Sequence, residues 1–516
     1  MLAAFEGHTA IVRYLLEQDC DMNKSGIDGR TALMMAARHD HLGVVRCLVE
    51  HGADKELDNN GITPLMIAVA NDRQEVLRYL VEQGADKEKP FHNGMTPLMH
   101  AAYENKKTVV LCLVQNGADV NKGMQDNGIS ALNLAAQNGH LAVVSYLLEQ
   151  GADKDKADNF GCTALFNAAQ FGHLDVVRYL TEQGVNKEKA ADDGATSLMI
   201  AAFCGHIAIV RYLAEQGCAI NKARMDNGFT ALCMAAQNGH FDVARCLVER
   251  GADKEVSIND GGTALFLAAF NDRQEVLRYL VEQGADKEKP ANDGITPLMI
   301  AALKGHTAIV RYLLEQGCDM NKVRTDNGFS ALGMAAQNNH IDVVRCLVEQ
   351  GADKETADNV GFTPLMNAIL NGHLTVVRYL LAQGANKEVT DHVGQTPLMT
   401  AAFHGHTVVL RYLLEQGCNV NKARTDNGFT ALGMAAQNNH LDVARCLVEQ
   451  GADKEKAVDN GWTPLMIAAY NGRAEVVHYL LEQGVDKDKA TNDGNTALTL
   501  AVQMGHLDVA QYLREH

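Results

Sequence analysis

A tripeptide of the form Thr/Ser-x-Leu returns along the chain with its first residue at Thr31, Thr63, Thr96, Ser130, Thr163, Thr196, Thr230, Thr263, Thr296, Ser330, Thr363, Thr396, Thr430, Thr463 and Thr496. After an opening step of 32 residues the intervals run 33, 34 and 33 in rotation. A fixed period in this range marks an array of one small supersecondary unit, because each unit is too small to bury its own apolar face and must stack on its neighbours. The 516 residues would otherwise suggest about three or four globular domains at roughly 150 residues each. The periodicity replaces them with a single solenoid of about sixteen units.

The unit that begins at Thr296, TPLMIAALKGHTAIVRYLLEQGCDMNKVRTDNG, shows what each copy encodes. Thr296 is a helix N-cap, since its hydroxyl can accept from an otherwise unpaired amide, and Pro297 follows where a missing N–H costs nothing. Leu298, Ala301 and Ala302 form an apolar stripe at helical spacing, which Gly305 ends. Ile309, Val310, Leu313 and Leu314 form a second stripe that stops at Gly317. Asp326, Asn327 and Gly328 are turn residues that tolerate positive φ. Each unit therefore predicts a turn followed by two short helices, with paired alanines that let neighbours approach closely. Helices of about ten residues are marginal alone in water, so stacking must supply the burial.

On these positions the sequence resembles the ankyrin-repeat family, whose T-P-L-H-x-A signature and period of about 33 residues recur from about Leu2 to His516. The resemblance implies an all-α solenoid of stacked helix-turn-helix units with β-turn or hairpin fingers. It also implies a non-enzymatic role in binding protein partners along a concave face. One departure is consistent: the family's His after T-P-L is replaced by Met66, Met99, Met199, Met299, Met366, Met399 and Met466, or by Asn133, Phe166, Cys233, Gly333 or Thr499. In the family that His hydrogen-bonds around the Thr, and here packing is expected to hold the place.

Thr63, Thr163, Thr263, Thr363 and Thr463 are spaced by 100 residues, so three units make a higher-order repeat. NDRQEVLRYLVEQGADKEKP occurs at Asn71 and again, unchanged, at Asn271. Fold constraints alone would not keep exposed positions identical, so duplication of triplets is the simplest source, and an array that grows in blocks suits a modular surface better than one pocket. The expected organisation is one continuous array over 1–516, with a shortened first repeat at 1–30, fourteen full repeats at 31–495 and a shortened last repeat at 496–516. Neither end shows the polar capping unit that solenoids use for solubility, so the expectation is a piece of a longer protein.

Composition narrows the function classes. The balance of 46 Lys plus Arg against 64 Asp plus Glu gives a formal charge of −18, which argues against a nucleic-acid binder, whose affinity comes from clustered cations. No apolar run approaches the roughly 20 residues of a membrane helix, and the first residues lack the pattern of a secretory signal. Twenty His and twelve Cys invite a metal reading, but no C-x-x-C or H-E-x-x-H occurs. Twelve of the His, from His8 and His41 to His506, share one slot before the second stripe, as a structural helix-start residue does. Helix geometry sets the pairs Cys218/Cys246, Cys318/Cys346 and Cys418/Cys446 about 13 Å apart, beyond the roughly 7 Å between Cα atoms that a disulfide needs. Free thiols point to a reducing compartment, with the cytoplasm expected. Eleven of the thirteen Tyr share one helix-two position and read as core-edge residues with the hydroxyl at water. The K-E-K and K-D-K clusters read as solvated loop tips. No phosphate loop, nucleophile elbow or kinase signature appears, and acidic residues recur in every unit instead of gathering in one. No enzyme activity, cofactor or metal is expected.

If the family's concave face carries the partner, the slots facing it are the residue before the Thr and those just after Ala-Ala. The first slot holds Phe229, Phe329, Phe362, Phe429 and the single Trp, Trp462. The second holds Phe203, Phe270, Leu303, Phe403 and Tyr470, together with Phe5 and Tyr103, alternating with glutamines such as Gln137, Gln237, Gln337 and Gln437. Aromatic side chains facing out of the stack gain nothing from the core and are what interface hot spots are made of. The expected partner-binding patch therefore lies at about residues 203 to 470, on a monomeric chain. Two other roles follow from the architecture: a regulatory or targeting array of a longer enzyme or channel, or an elastic tether whose units touch only their neighbours. Asn23, Asn121, Asn221, Asn321 and Asn421 also resemble the loop Asn that some ankyrin repeats have hydroxylated.

Overall fold

A computed structural model describes the chain from Met1 to His516 as 32 α-helices with no β-strand. They fall into two compact units, Met1–Asn259 and Asp260–His516, each a succession of helix pairs. In the Thr296 repeat, helix one is Pro297–Lys304 and helix two is Thr307–Glu315. Thr296 is extended at the N-cap and its hydroxyl oxygen accepts from the Met299 amide at 3.3 Å. Gly305, with φ of 78°, ends helix one in the left-handed conformation that glycine adopts without strain. Ala301 and Ala302 are fully buried, as are their counterparts in every repeat from Thr31 to Thr463. The fingers are tight turns, closed in this repeat by Ala291 N–H to Ile295 O and Gly294 N–H to Ala291 O, each 2.9 Å. Fingers lengthened by one residue carry isolated bridges, such as Val323 with Ser330 and Ala423 with Thr430.

The Met that replaces the family's His does more than pack. Thr63 accepts from the Met66 amide at 3.3 Å while the Thr63 amide points back at the Met66 sulfur, 3.4 Å away. The thioether thus serves as the weak acceptor that closes a capping box. Met34, Met99, Met199, Met399 and Met466 do the same. Thr499 supplies a hydroxyl oxygen instead, 2.7 Å from the Thr496 amide.

Neighbouring repeats are joined by columns of side-chain bonds. The slot His does start helix two, but its ring reaches back into the preceding repeat. His173 Nε2 lies 2.8 Å from Gln137 O, His340 Nε2 2.9 Å from Leu303 O and His440 Nε2 3.0 Å from Phe403 O. A carbonyl can only accept, so Nε2 carries the proton. Where the slot is not His, another N–H donor substitutes: Arg73 Nε donates to Arg38 O at 2.9 Å, and Lys106 Nζ to Ala70 O at 2.6 Å.

A second column runs through the loops. Asn421 Oδ1 accepts from the Asp453 amide at 2.7 Å while its Nδ2 donates to Gly451 O at 3.2 Å. Asn23, Asn121, Asn221 and Asn321 accept the equivalent amide, and acidic residues such as Glu388 do so in other repeats. The lysine clusters are not simply solvated tips. Lys422 donates back to Glu388 O at 3.0 Å and Lys454 forward to Gln483 O at 2.7 Å. On helix two several of the slot tyrosines are covered by the Arg of the preceding repeat, with Arg278 4.7 Å and Arg445 5.0 Å from the ring centroids of Tyr312 and Tyr479. Tyr79, Tyr212, Tyr379 and Tyr412 are covered in the same way, so the faces of these core-edge rings are already taken.

Candidate functional site

The two variable slots share one face with the fingers: Arg30 and Ile62 before the Thr, Arg38 and Ala70 at the end of helix one, and the finger residues Asn59 and Phe91 line a common groove. At the helix-one slot, the inter-repeat column fixes the backbone from behind. The carbonyls of Phe203, Phe270, Leu303, Phe403 and Tyr470 each accept from a His of the following repeat, at 2.9 to 3.1 Å. Their side chains are therefore presented from pinned helix ends, the arrangement that limits the ordering cost of binding.

Exposure separates the predicted residues. Phe203, Phe270 and Phe403 are 45%, 39% and 39% exposed. Leu303 and Tyr470 are half-buried. Lys304 lies 4.4 Å over the Phe270 ring, and Phe403 meets His404 edge-on at 4.9 Å.

All five residues before the Thr, Phe229, Phe329, Phe362, Phe429 and Trp462, are half-buried. Phe429, Trp462 and Tyr470 pack against a buried cluster that includes Leu465, Met466 and Ile467, and Trp462 meets Tyr470 edge-on at 4.8 Å. A Cβ placed on Gly333 would stand 3.6 Å from the Phe329 ring, and one on Gly433 3.5 Å from the Phe429 ring. These phenylalanines lie in contact range of the position where other repeats carry a Met side chain. At Gly262 the slot itself is empty of a side chain and the Phe266 ring occupies the space beside it. An aromatic at this slot thus contributes to packing, contrary to the expectation that it gains nothing from the core.

Sequence reasoning passed over two features of this face. Phe160, Met225 and Val360, at finger tips, are 64%, 80% and 60% exposed. The signal was a large apolar residue among the turn residues, as in the D-N-F-G and D-N-V-G turns of Phe160 and Val360. The groove around Ala70 was the other. Elsewhere on the fingers charge is largely self-compensated: Arg224 pairs with Asp193 at 2.8 Å and Asp226 at 2.7 Å, and Arg324 with Asp293 at 3.1 Å.

All twelve cysteines are free thiols. Burial pushes Cys318 up to about 12 and Cys218 and Cys418 up to about 11, with Glu288, Glu188 and Glu388 beside them adding to the shift. These are inert packing thiols, since the thiolate is the reactive form. No group of three or more His, Cys, Asp or Glu is placed to hold a metal ion.

Capped helix pairs, buried alanines and bonds only between successive repeats define a class: a stacked helix-pair repeat protein that offers a long periodic surface. A family model described as ankyrin repeats (3 copies) matches residues 1–91, 88–158, 150–224, 185–257, 216–291, 254–324, 298–391, 365–458 and 454–516, and the chain belongs to the ankyrin-repeat family. Comparison with curated proteins gives no match. Ankyrin repeats are generally protein–protein interaction modules, and their fold is typically non-catalytic. No helix here is long and apolar enough to cross a membrane.

Proposed function

We propose that the chain is a non-enzymatic recognition scaffold whose 516 residues act as one continuous array and bind partner protein along its concave face. The partner-binding residues in this reading are Phe203, Phe229, Phe270, Leu303, Phe329, Phe362, Phe403, Phe429, Trp462 and Tyr470. The supporting observation is that Phe203, Phe270 and Phe403 keep 39 to 45% of their surface exposed on helix ends that the following repeat holds in place. Exposed aromatics on rigid backbone bind with little loss of conformational entropy. In this reading the protein works as a monomer in the cytoplasm, where its thiols stay reduced.

The test replaces Phe403, Phe429, Trp462 and Tyr470 with Ala and compares capture of cell-lysate partners with helicity by circular dichroism. Phe403→Ala alone separates binding from folding, because Phe403 is exposed whereas Trp462 and Tyr470 pack on the core. Loss of capture with helicity retained is expected. Undiminished capture by the folded quadruple variant overturns the reading.

A further inference from the structure

One repeat departs from all the others at both variable slots. The residue before its Thr is Arg30 and the residue just after its paired alanines is Arg38, and no other repeat carries a charged side chain at either slot. In the next repeat the helix-one slot is Ala70, the only residue there whose side chain ends at Cβ. The missing side chain leaves a groove of about 250 Å³, lined in part by Ile62, Met66, Ile67, Ala70 and Phe91, with Arg30 and Arg38 its only charged residues. The volume suits one large side chain and falls below the roughly 300 to 1,000 Å³ of typical small-molecule pockets.

The field at this groove is positive on a chain of formal charge −18. Arg38 is exposed, and the Arg73 side chain is anchored beside it on the Arg38 carbonyl at 2.9 Å. His39 is held below the ordinary imidazole range by partial burial and then by the neighbouring basic side chains Arg38, His41 and Arg73, against a smaller opposing effect of Glu6. Asp28 lies 3.6 Å from Arg30 and offsets part of that charge, which leaves Arg38 as the principal cation.

We propose that this groove docks an acidic peptide segment of a partner protein, with one large apolar side chain in the recess beside Ala70 and flanking carboxylates on Arg38 and Arg30. It rests on the reading of the chain as a protein-binding array, but at a site outside residues 203 to 470. Planar guanidinium groups match carboxylates in bidentate geometry, and the apolar recess supplies the anchor that charge alone does not.

The experiment uses the full-length chain and fluorescence anisotropy. The probe is fluorescein-labelled Gly-Asp-Glu-Leu-Asp-Glu-Gly, compared with the same peptide bearing Ala for Leu and with one bearing Lys for every acid. The acidic leucine peptide is expected to bind saturably, the lysine peptide not at all, and the alanine peptide about tenfold more weakly, the worth of one buried side chain. Binding should weaken further in about 1 M salt, where the Debye length is about 3 Å. Arg38→Glu should cost about tenfold or more. Ala70→Leu refills the recess with a residue that the same slot carries at Leu303 and Leu370, so it should block the anchor while the helix stays folded. Equal binding of the acidic and lysine peptides, or unchanged binding by both Arg38→Glu and Ala70→Leu, overturns the proposal. If the peptide fails to bind while Phe403→Ala still abolishes lysate capture, only the groove assignment falls. If the peptide binds and Phe403→Ala captures normally, only the patch at 203 to 470 falls.

Discussion

Gly305 and His340 test whether the histidine column couples successive repeats. Gly305 has φ of 78°, and a Cβ there would stand 2.5 Å from His340 Nδ1. Gly305→Ala pays about 1–2 kcal/mol for a side chain in the left-handed region. It also pushes the ring away and so forfeits the bond from Nε2 to Leu303 O, a net of about 1 kcal/mol. The total is about 2–3 kcal/mol. His340→Ala alone loses only the bond, about 1 kcal/mol. In the double variant the overlap has vanished and the bond is already gone, so the cost stays at about 2–3 kcal/mol and falls short of the sum of the singles by about 1 kcal/mol. Long repeat arrays need not unfold in two states, so the assay is native-state hydrogen exchange with mass spectrometry on the full chain, following peptides over 297–315 and 331–349. A peptide over 464–482, remote in the same unit, serves as the control. Costs that add to within about 0.3 kcal/mol, or protection lost equally over 464–482, would refute coupling through this contact.

The Thr363 hydroxyl is buried without a hydrogen-bond partner, whereas Thr63 caps the Met66 amide. Thr63→Val should therefore cost about 1 kcal/mol and Thr363→Val close to nothing, read from exchange of the following helix-one amides. Cys218, Cys318 and Cys418 keep neutral thiols in the folded protein to about 11, 12 and 11, while an unfolded thiol ionises near 9. Their stabilising contribution is fully present below about pH 9 and is lost as pH rises toward 11 to 12. Replacing the three with the Ala found at the same slot in Ala252 and Ala352 should flatten the fall of the urea midpoint with pH over that window.

The features legible in the sequence are those that depend on a few adjacent residues. Thr296, Pro297 and Gly305 mark the bounds of a helix by local sterics and hydrogen bonding, and they fall where the structure puts them. The columns between repeats were not legible, because a bond such as His340 to Leu303 spans 37 residues and depends on how two units stack. The slot of each His was evident from its recurrence, but the direction of its ring was not. The same holds for Lys89, which looks like a loop tip in sequence and donates to the Glu56 carbonyl of the preceding repeat. The candidate face was legible as a set of positions. Its division into exposed Phe403 and half-buried Phe429 was not, since Phe429 packs on a buried cluster that includes Leu465 and Ile467 of the following repeat.

The histidine bonds also have a direction. Each donor stands 36 or 37 residues C-terminal to its acceptor, as in His173 to Gln137 and His440 to Phe403. During synthesis the N-terminal part of a chain emerges first, so the end of helix one in any repeat waits for the ring that secures it until the rest of its own repeat and helix one of the next have left the ribosome. The nascent array therefore matures one repeat behind its growing end. A pause that holds the next histidine inside the exit tunnel leaves the rim residue ahead of it, Phe403 for instance, on an unsecured turn.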